Sequence, residues 1–404
     1  MEKNNKTLNV PNLRFPEFSG EWEKTQLNHY LEENKERNKK GAFTKNDVLS
    51  VSGDYGIVNQ IELLGRSFAG KSVLDYHVVR NGNIVYTKSP LKEYPYGIVK
   101  VNEGTDGIVS TLYAVYTVKE NANGKFIENY FGLPSRTNKY FKPIVRIGAK
   151  HDMKIGSDEV LANYVIFPRI AEQNRISEFI SLLDKRIEIQ RKVSEDLKKL
   201  KDAISKSLLS RSDLLEKNIP LSQVGTLKNG YAFQSSSYDS SSEYEIVTIA
   251  NVTGERYIRT EGCNRIHTIP SDLQPHQELK EDDILVSLTG NVGRVSLCNE
   301  GRYLLNQRVG LLELQVGINR EFVYQAISTR KFEQSMSSCG QGAAQMNIGK
   351  GDVEGFVIPY SDNPQNLQRI SLILKSYDDL ILLESRRLQL LRSQKQYFIK
   401  IMFI

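Results

Sequence analysis

The 404-residue sequence has little of what marks special chemistry. Its three cysteines, Cys263, Cys298 and Cys339, are odd in number and lack metal-ligand spacing. That excludes a disulfide framework and fits plain thiols in a reducing compartment. Five histidines, His29, His77, His151, His267 and His276, are scattered and form no metal pair. No run approaches the ~18 apolar residues needed to span a bilayer. Met1 to Phe18 has neither the apolar core nor the cleavage pattern of a signal peptide. A cytoplasmic protein is expected. There is no nucleophile elbow, H-E-x-x-H motif or N/D-P-P-aromatic tetrapeptide. Asp282-Asp283 means little among 48 acidic residues.

The net excess of charge is small too. The net charge of +6 divides into +4 for residues 1–168, +3 for 169–217, −5 for 218–363 and +4 for 364–404. A polyanionic partner of the acidic third segment must therefore meet a local patch. Eight of that segment's twelve basic residues are Arg, the type suited to bidentate contacts with guanine and phosphate.

What is present is a repeat. Residues 175–209 align without gaps on 369–403 at an offset of 194, with 8 identities in 35 positions, where chance gives about 2. Arg175-Ile176-Ser177 meets Arg369-Ile370-Ser371, Asp184 meets Asp378, and Lys201 meets Lys395. The same offset sets Leu27 on Leu221. Both segments carry an apolar seam of coiled-coil period. It runs through Ile180, Leu183, Ile187, Leu197, Ile204 and Leu208 in the first, and Leu374, Tyr377, Ile381, Leu388, Leu391 and Phe398 in the second. Gln190/Glu384 and Lys201/Lys395 interrupt it at equivalent places, where polar residues fix register. A helix of about 38 residues is about 57 Å long at ~1.5 Å per residue. The spacing predicts a first helix joining two domains and a second returning antiparallel to bury its seam on the first. A coiled coil that merely dimerises the chain is the plainer alternative.

Between the helices, short strand-like runs such as Ile84–Tyr86, Leu112–Val118, Glu245–Ile249, Ile284–Val286 and Val309–Leu314 are punctuated by Gly, Asn and Asp. They predict small irregular sheets with long polar loops. Gly65-Arg66-Ser67-Phe68-Ala69-Gly70-Lys71-Ser72 matches the phosphate-loop pattern G-x-x-x-x-G-K-[ST]. Such a loop works when a strand feeds it and a helix leaves it. The run Ile61–Leu64 is weakly β, and the stretch from Ser72 to Arg80 is too short for a strong helix. A basic loop touching phosphate is favoured over a nucleotide site.

These features together resemble the specificity subunits of Type I restriction–modification systems. Pro11–Phe18 with Trp22 and Leu27 looks like the family's opening. Gly230-Tyr231-Ala232-Phe233-Gln234-Ser235 looks like the segment that begins many of its target-recognition domains. Asp283–Val286, Asn306-Gln307-Arg308 and Gln345-Met346-Asn347-Ile348 match further recurring segments. The first domain shares Gly148-Ala149 and Ile155-Gly156 but lacks the G-x-A-F-x-S and N-Q-R segments, so the halves are expected to read different sequences.

The resemblance implies an α+β fold. Two mixed α/β target-recognition domains (residues 1–168 and 213–363) are separated by two long antiparallel coiled-coil helices (169–212 and 364–404), with an internal pseudo-two-fold repeat. It implies a non-catalytic subunit that binds double-stranded DNA, two modification subunits and restriction subunits. S-adenosylmethionine, ATP and Mg2+ belong on those partners, with no cofactor or metal in this chain. The DNA contacts expected are Arg66, Lys71, Lys88 and Lys92 in the first domain. In the second they are Asn291, Arg294, Gln307, Arg308, Gln341 and Gln345. The rivals are a nucleotide hydrolase using Gly65–Ser72 and a coiled-coil protein-interaction scaffold.

Overall fold

The computed structural model describes residues 9–70, 72–90, 94–147, 153–239, 241–340 and 346–404. The chain forms two compact units, residues 1–190 with 387–404, and residues 191–386. None of the described helices is long and apolar enough to cross a membrane.

In the first unit a four-stranded antiparallel sheet runs in the order Leu31–Glu33, Ala114–Val118, Ile84–Tyr86, Val99–Val101. The strand Ile84–Tyr86 is buried throughout because both its faces are covered. Ile84 and Tyr86 face a core with Phe126, Phe141 and Phe167, where the Tyr86 ring stacks on Phe141 at 4.4 Å. Val85 faces the opposite way, onto Val79, Val109 and Val115. This alternation is the two-residue period of a pleated strand. The pairs His77–Val79 with Gly107–Val109 and Leu49–Ser52 with Gly56–Asn59 complete the unit's β-structure on that side.

The second unit repeats the plan. One sheet is ordered Gly225–Asn229, Val309–Leu314, Ile284–Ser287, Val295–Leu297, and another Asn264–Ile266, Tyr244–Val247, Tyr303–Leu305, Glu278–Leu279. Each unit opens with a strand paired to the one that closes it: Glu23–Gln26 with Tyr164–Phe167, and Lys217–Pro220 with Val357–Tyr360. A buried leucine comes directly after each opening strand, Leu27 and Leu221.

The long helices are Ile170–Leu208 and Pro364–Met402, each of 39 residues and in register at the offset of 194. Every seam position named from the sequence is buried or half-buried. In the first unit Phe179 meets Phe398 at 5.0 Å, and Lys395 Nζ meets Asp184 Oδ1 at 2.5 Å. The paired numbers run in opposite directions, so these helix segments are antiparallel. In the second unit Lys201 Nζ meets Asp378 Oδ1, also at 2.5 Å. The two seam lysines thus pair with acids of the facing helix.

The opening segment is fixed to the first helix. Arg14 donates two hydrogen bonds to the Glu172 carboxylate, and Trp22 Nε1 donates a third. Arg136 donates to the carbonyls of Ile399, Phe403 and Ile404 at the end of the second helix, where the helix dipole favours a cation.

Candidate nucleic-acid interface

In the second unit four separate stretches of sequence converge at one end of a sheet. Gly230 lies so close to the neighbouring strand that a Cβ there would sit 2.2 Å from the Asn306 carbonyl oxygen. Only glycine fits that approach. It lets Tyr231 N donate to Leu305 O at 2.8 Å, and Gln307 N to Tyr231 O at 2.9 Å. Leu288 N then donates to Arg308 O, Ile348 N to Leu288 O, and Gly290 N to Met346 O. The sheet thereby places Gly230–Phe233, Asn306–Arg308, Leu288–Arg294 and Met346–Ile348 side by side.

The hairpin tip after Ile284–Ser287 is held by Ser287, whose Oγ donates to Asn291 O at 2.5 Å and accepts from Arg294 N at 3.0 Å. Gly290 and Gly293 adopt the left-handed conformations the tip needs. Val292 and Val295 point into the core, which leaves Asn291 exposed and Arg294 half-buried. Arg294 Nε lies 3.5 Å from Glu333. Gln307 and Arg308 are exposed, and the described residues include no ion pair from Arg308. Gln341 and Gln345 lie outside the described residues.

The first unit presents the same scaffold with other side chains. Asn83 Oδ1 accepts from Arg80 N at 2.8 Å, as Asp283 Oδ2 accepts from Lys280 N at 2.8 Å. Gly82 and Asp282 hold the matching left-handed positions before strands Ile84–Tyr86 and Ile284–Ser287. This correspondence sets Lys88 where the second unit has Leu288. It also sets the turn Ser110-Thr111-Leu112 where the second unit has Asn306-Gln307-Arg308. Thr111 and Leu112 were not expected from sequence, because the triplets share no residue. Leu112 is 62 % exposed.

Lys88 is half-buried and left-handed, with φ of 44°. Burial lowers its ammonium pKa from the ordinary value. Lys71 and Lys92 lie outside the described residues. Arg66 is exposed, with its guanidinium over the Phe68 ring at 4.6 Å. The elements that flank Gly65–Ser72 differ from those of a nucleotide loop. A five-residue helix, Gln60–Leu64, feeds it instead of a strand, and Gly65 caps that helix in the left-handed conformation. The next element in the chain is the strand His77–Val79, where a nucleotide loop would be followed by a helix. Among the described residues no group of three His, Cys, Asp or Glu side chains could hold a metal ion.

The second unit also holds a buried polar hub. Asp378 accepts from Lys201, from Arg256 at 3.2 Å and from Gln325 at 2.6 Å. Arg256 also makes a bidentate pair with Glu321, at 2.8 and 2.7 Å. Its positive charge holds the Glu321 carboxyl below its ordinary pKa against the opposing effect of burial. The hub ties the loop carrying Arg256 to both helix segments of this unit.

Residues 216–393 match the family model described as the Type I restriction modification DNA specificity domain. The S subunit of a Type I restriction-modification system from M. genitalium is 14% identical, with a TM-score of 0.57 over 98% of this chain and 99% of that one. A second structure, solved in work on complex assembly and conformational transition of the type I R-M system, is 14% identical. Its TM-score is 0.53 over 95% of this chain and 97% of that one. At such identities these likenesses establish the fold. No curated protein matches in sequence. The matches bear out the resemblance to Type I specificity subunits and the α+β fold that it implied.

Proposed function

We propose that this chain is the DNA-recognition subunit of a Type I restriction–modification complex, itself without catalytic activity. Each domain reads one half of a bipartite target in double-stranded DNA. The helices set the non-specific gap and carry two modification subunits. Those subunits methylate adenine N6 with S-adenosylmethionine, and restriction subunits supply ATP- and Mg2+-dependent cleavage. The observation that carries this reading is the duplicated domain–helix unit. Each domain presents a strand-end turn and a loop at one sheet end, and the second domain's carry Asn291, Arg294, Gln307 and Arg308. Such side chains read base edges in the major groove. Equivalent scaffolds with different turns suit two unlike half-sites.

The test is a genome-wide map of N6-methyladenine with and without this gene. One bipartite motif with a fixed gap should lose methylation on deletion. Exchange of either domain should change only one half of that motif. No change in any motif while the partner subunits are expressed would refute the proposal. A protein-binding scaffold predicts no salt-sensitive DNA affinity, and a nucleotide hydrolase predicts ATPase activity that Lys71→Ala removes.

A further inference from the structure

We propose that Arg37, His77 and Lys88 in the first unit form a site for one backbone phosphate of the DNA, beside the turn Ser110–Leu112. This rests on the DNA-recognition reading above. His77 is only 7 % exposed, yet its Nδ1 has no hydrogen-bond partner. A buried polar atom left unsatisfied in this way costs stability, and a ligand oxygen would satisfy it. Arg37 is the β-bridge partner of His77, and its guanidinium is exposed, held by a hydrogen bond from Nη1 to the Asp75 carbonyl at 2.9 Å.

Lys88 lies two residues beyond strand Ile84–Tyr86, in a backbone conformation that glycine tolerates and lysine does not favour. Strain kept at a non-glycine residue points to a role for its side chain. Burial, Arg37 and Lys88 together push the His77 imidazole down to about 4, while Glu33 alone acts the other way. The cluster thus sets two cations and a neutral imidazole against one carboxylate. A phosphate oxygen would accept from the imidazole N–H and offset both cations, whereas a neutral base edge would offset neither.

The second unit lacks this cluster. At the place of Lys88 it has Leu288, and at the place of His77 it has Gln277, whose amide donates to Asn229 O at 3.2 Å. The site therefore belongs to the first domain alone and carries no sequence information of its own.

The experiment measures DNA affinity against salt for the chain assembled with its modification subunits, on a duplex carrying the target and on a random duplex. Arg37→Gln and Lys88→Gln are each expected to lower the slope of log affinity against log salt, by at most the value of about 0.9 that one phosphate contributes. Between 50 and 200 mM salt that value corresponds to about 3.5-fold in the affinity ratio. The loss should be equal on both duplexes. Lys88→Gly separates phosphate binding from a merely structural turn, because it relaxes the backbone while removing the charge. It should lose as much slope as Lys88→Gln. Wild-type slopes in both Lys88 variants would overturn the site, and so would loss on the target duplex alone. If the wild-type assembly shows no salt-sensitive affinity for either duplex, the DNA-recognition reading itself fails.

Discussion

Lys395 and Asp184 form an ion pair at 2.5 Å, and the 194-residue repeat carries that pair onto Lys201 and Asp378 at the same distance. The two pairs differ in their surroundings. The Asp184 side chain is 36 % exposed and has Lys395 as its ion-pair partner, whereas the Asp378 side chain is 8 % exposed and also accepts from Arg256 and Gln325.

Equivalent substitutions should therefore have unequal costs. Asp378→Ala leaves buried Lys201 without its acid and Arg256 with Glu321 alone, and should destabilise the second unit by about 3–5 kcal/mol. Asp184→Ala should cost no more than about 1 kcal/mol, the range of a solvent-screened pair. Urea unfolding of the two variants, measured beside wild type, gives the difference. Equal midpoints would refute the hub's role.

The seam, its polar interruptions and the tandem plan were legible because coiled-coil period and a fixed offset are local properties of sequence. The hub was not, since Arg256 and Asp378 lie 122 residues apart and Arg256 belongs to no motif. The first domain's turn was illegible for a different reason. Ser110-Thr111-Leu112 occupies the place of Asn306-Gln307-Arg308 without sharing one residue with it. The two scaffolds have in common burial on both faces of Ile84–Tyr86 and Ile284–Ser287, which many apolar residues satisfy equally. Leu112–Val118 and Glu245–Ile249 overran their strands, Ala114–Val118 and Tyr244–Val247, where turns begin.

The close approach at Gly230 gives a second prediction. Gly230→Ala drives a methyl group into the Asn306 carbonyl. It should displace the Asn306–Arg308 turn and abolish recognition of the second half-site. Gly351→Ala, with nothing within 4 Å of the added Cβ, is the matched control and should behave as wild type. The readout is affinity for duplexes altered in one half-site at a time. In the Gly230→Ala variant, altering the second half-site should no longer change affinity.

Arg308 and Leu112 hold equivalent turn positions, and their truncations should act on opposite halves of the target. Arg308→Ala should cost about 1–3 kcal/mol on the second half-site, as for loss of a bidentate base contact. Leu112→Ala should weaken only the first half-site, consistent with apolar contact to a thymine methyl. Equal losses on random DNA would identify either residue as a backbone contact instead.

Acid stability should report the His77 environment. Burial, then Arg37 and Lys88, holds the folded-state pKa down at about 4, below the ordinary 6.5. As pH falls from 6.5 the unfolded chain binds the proton first, so stability declines until about pH 4 and then levels off for this group. His77→Gln removes that proton uptake. The difference in melting temperature between wild type and variant should be largest near neutral pH and shrink towards pH 4. A difference that stays constant across that window would show that His77 titrates normally.

The faces of the long helices that are turned away from the seam supply the last prediction. Leu182 and Ile189 on the first helix, and Leu383 and Leu390 on the second, are exposed, Leu390 by 70 %. Each of these two pairs is spaced by seven residues, so each lies along one stripe of its helix. Exposed apolar stripes of this kind mark docking surfaces, and on the proposed function the modification subunits cover them. Leu390→Glu places a charge on the stripe without touching the seam. It should leave the chain's own melting temperature within a few degrees of wild type while reducing co-purification of the modification subunit and methylation of both half-sites together. A variant that assembles normally would move the docking surface elsewhere. One that loses methylation without losing the partner would place Leu390 in a later step than assembly.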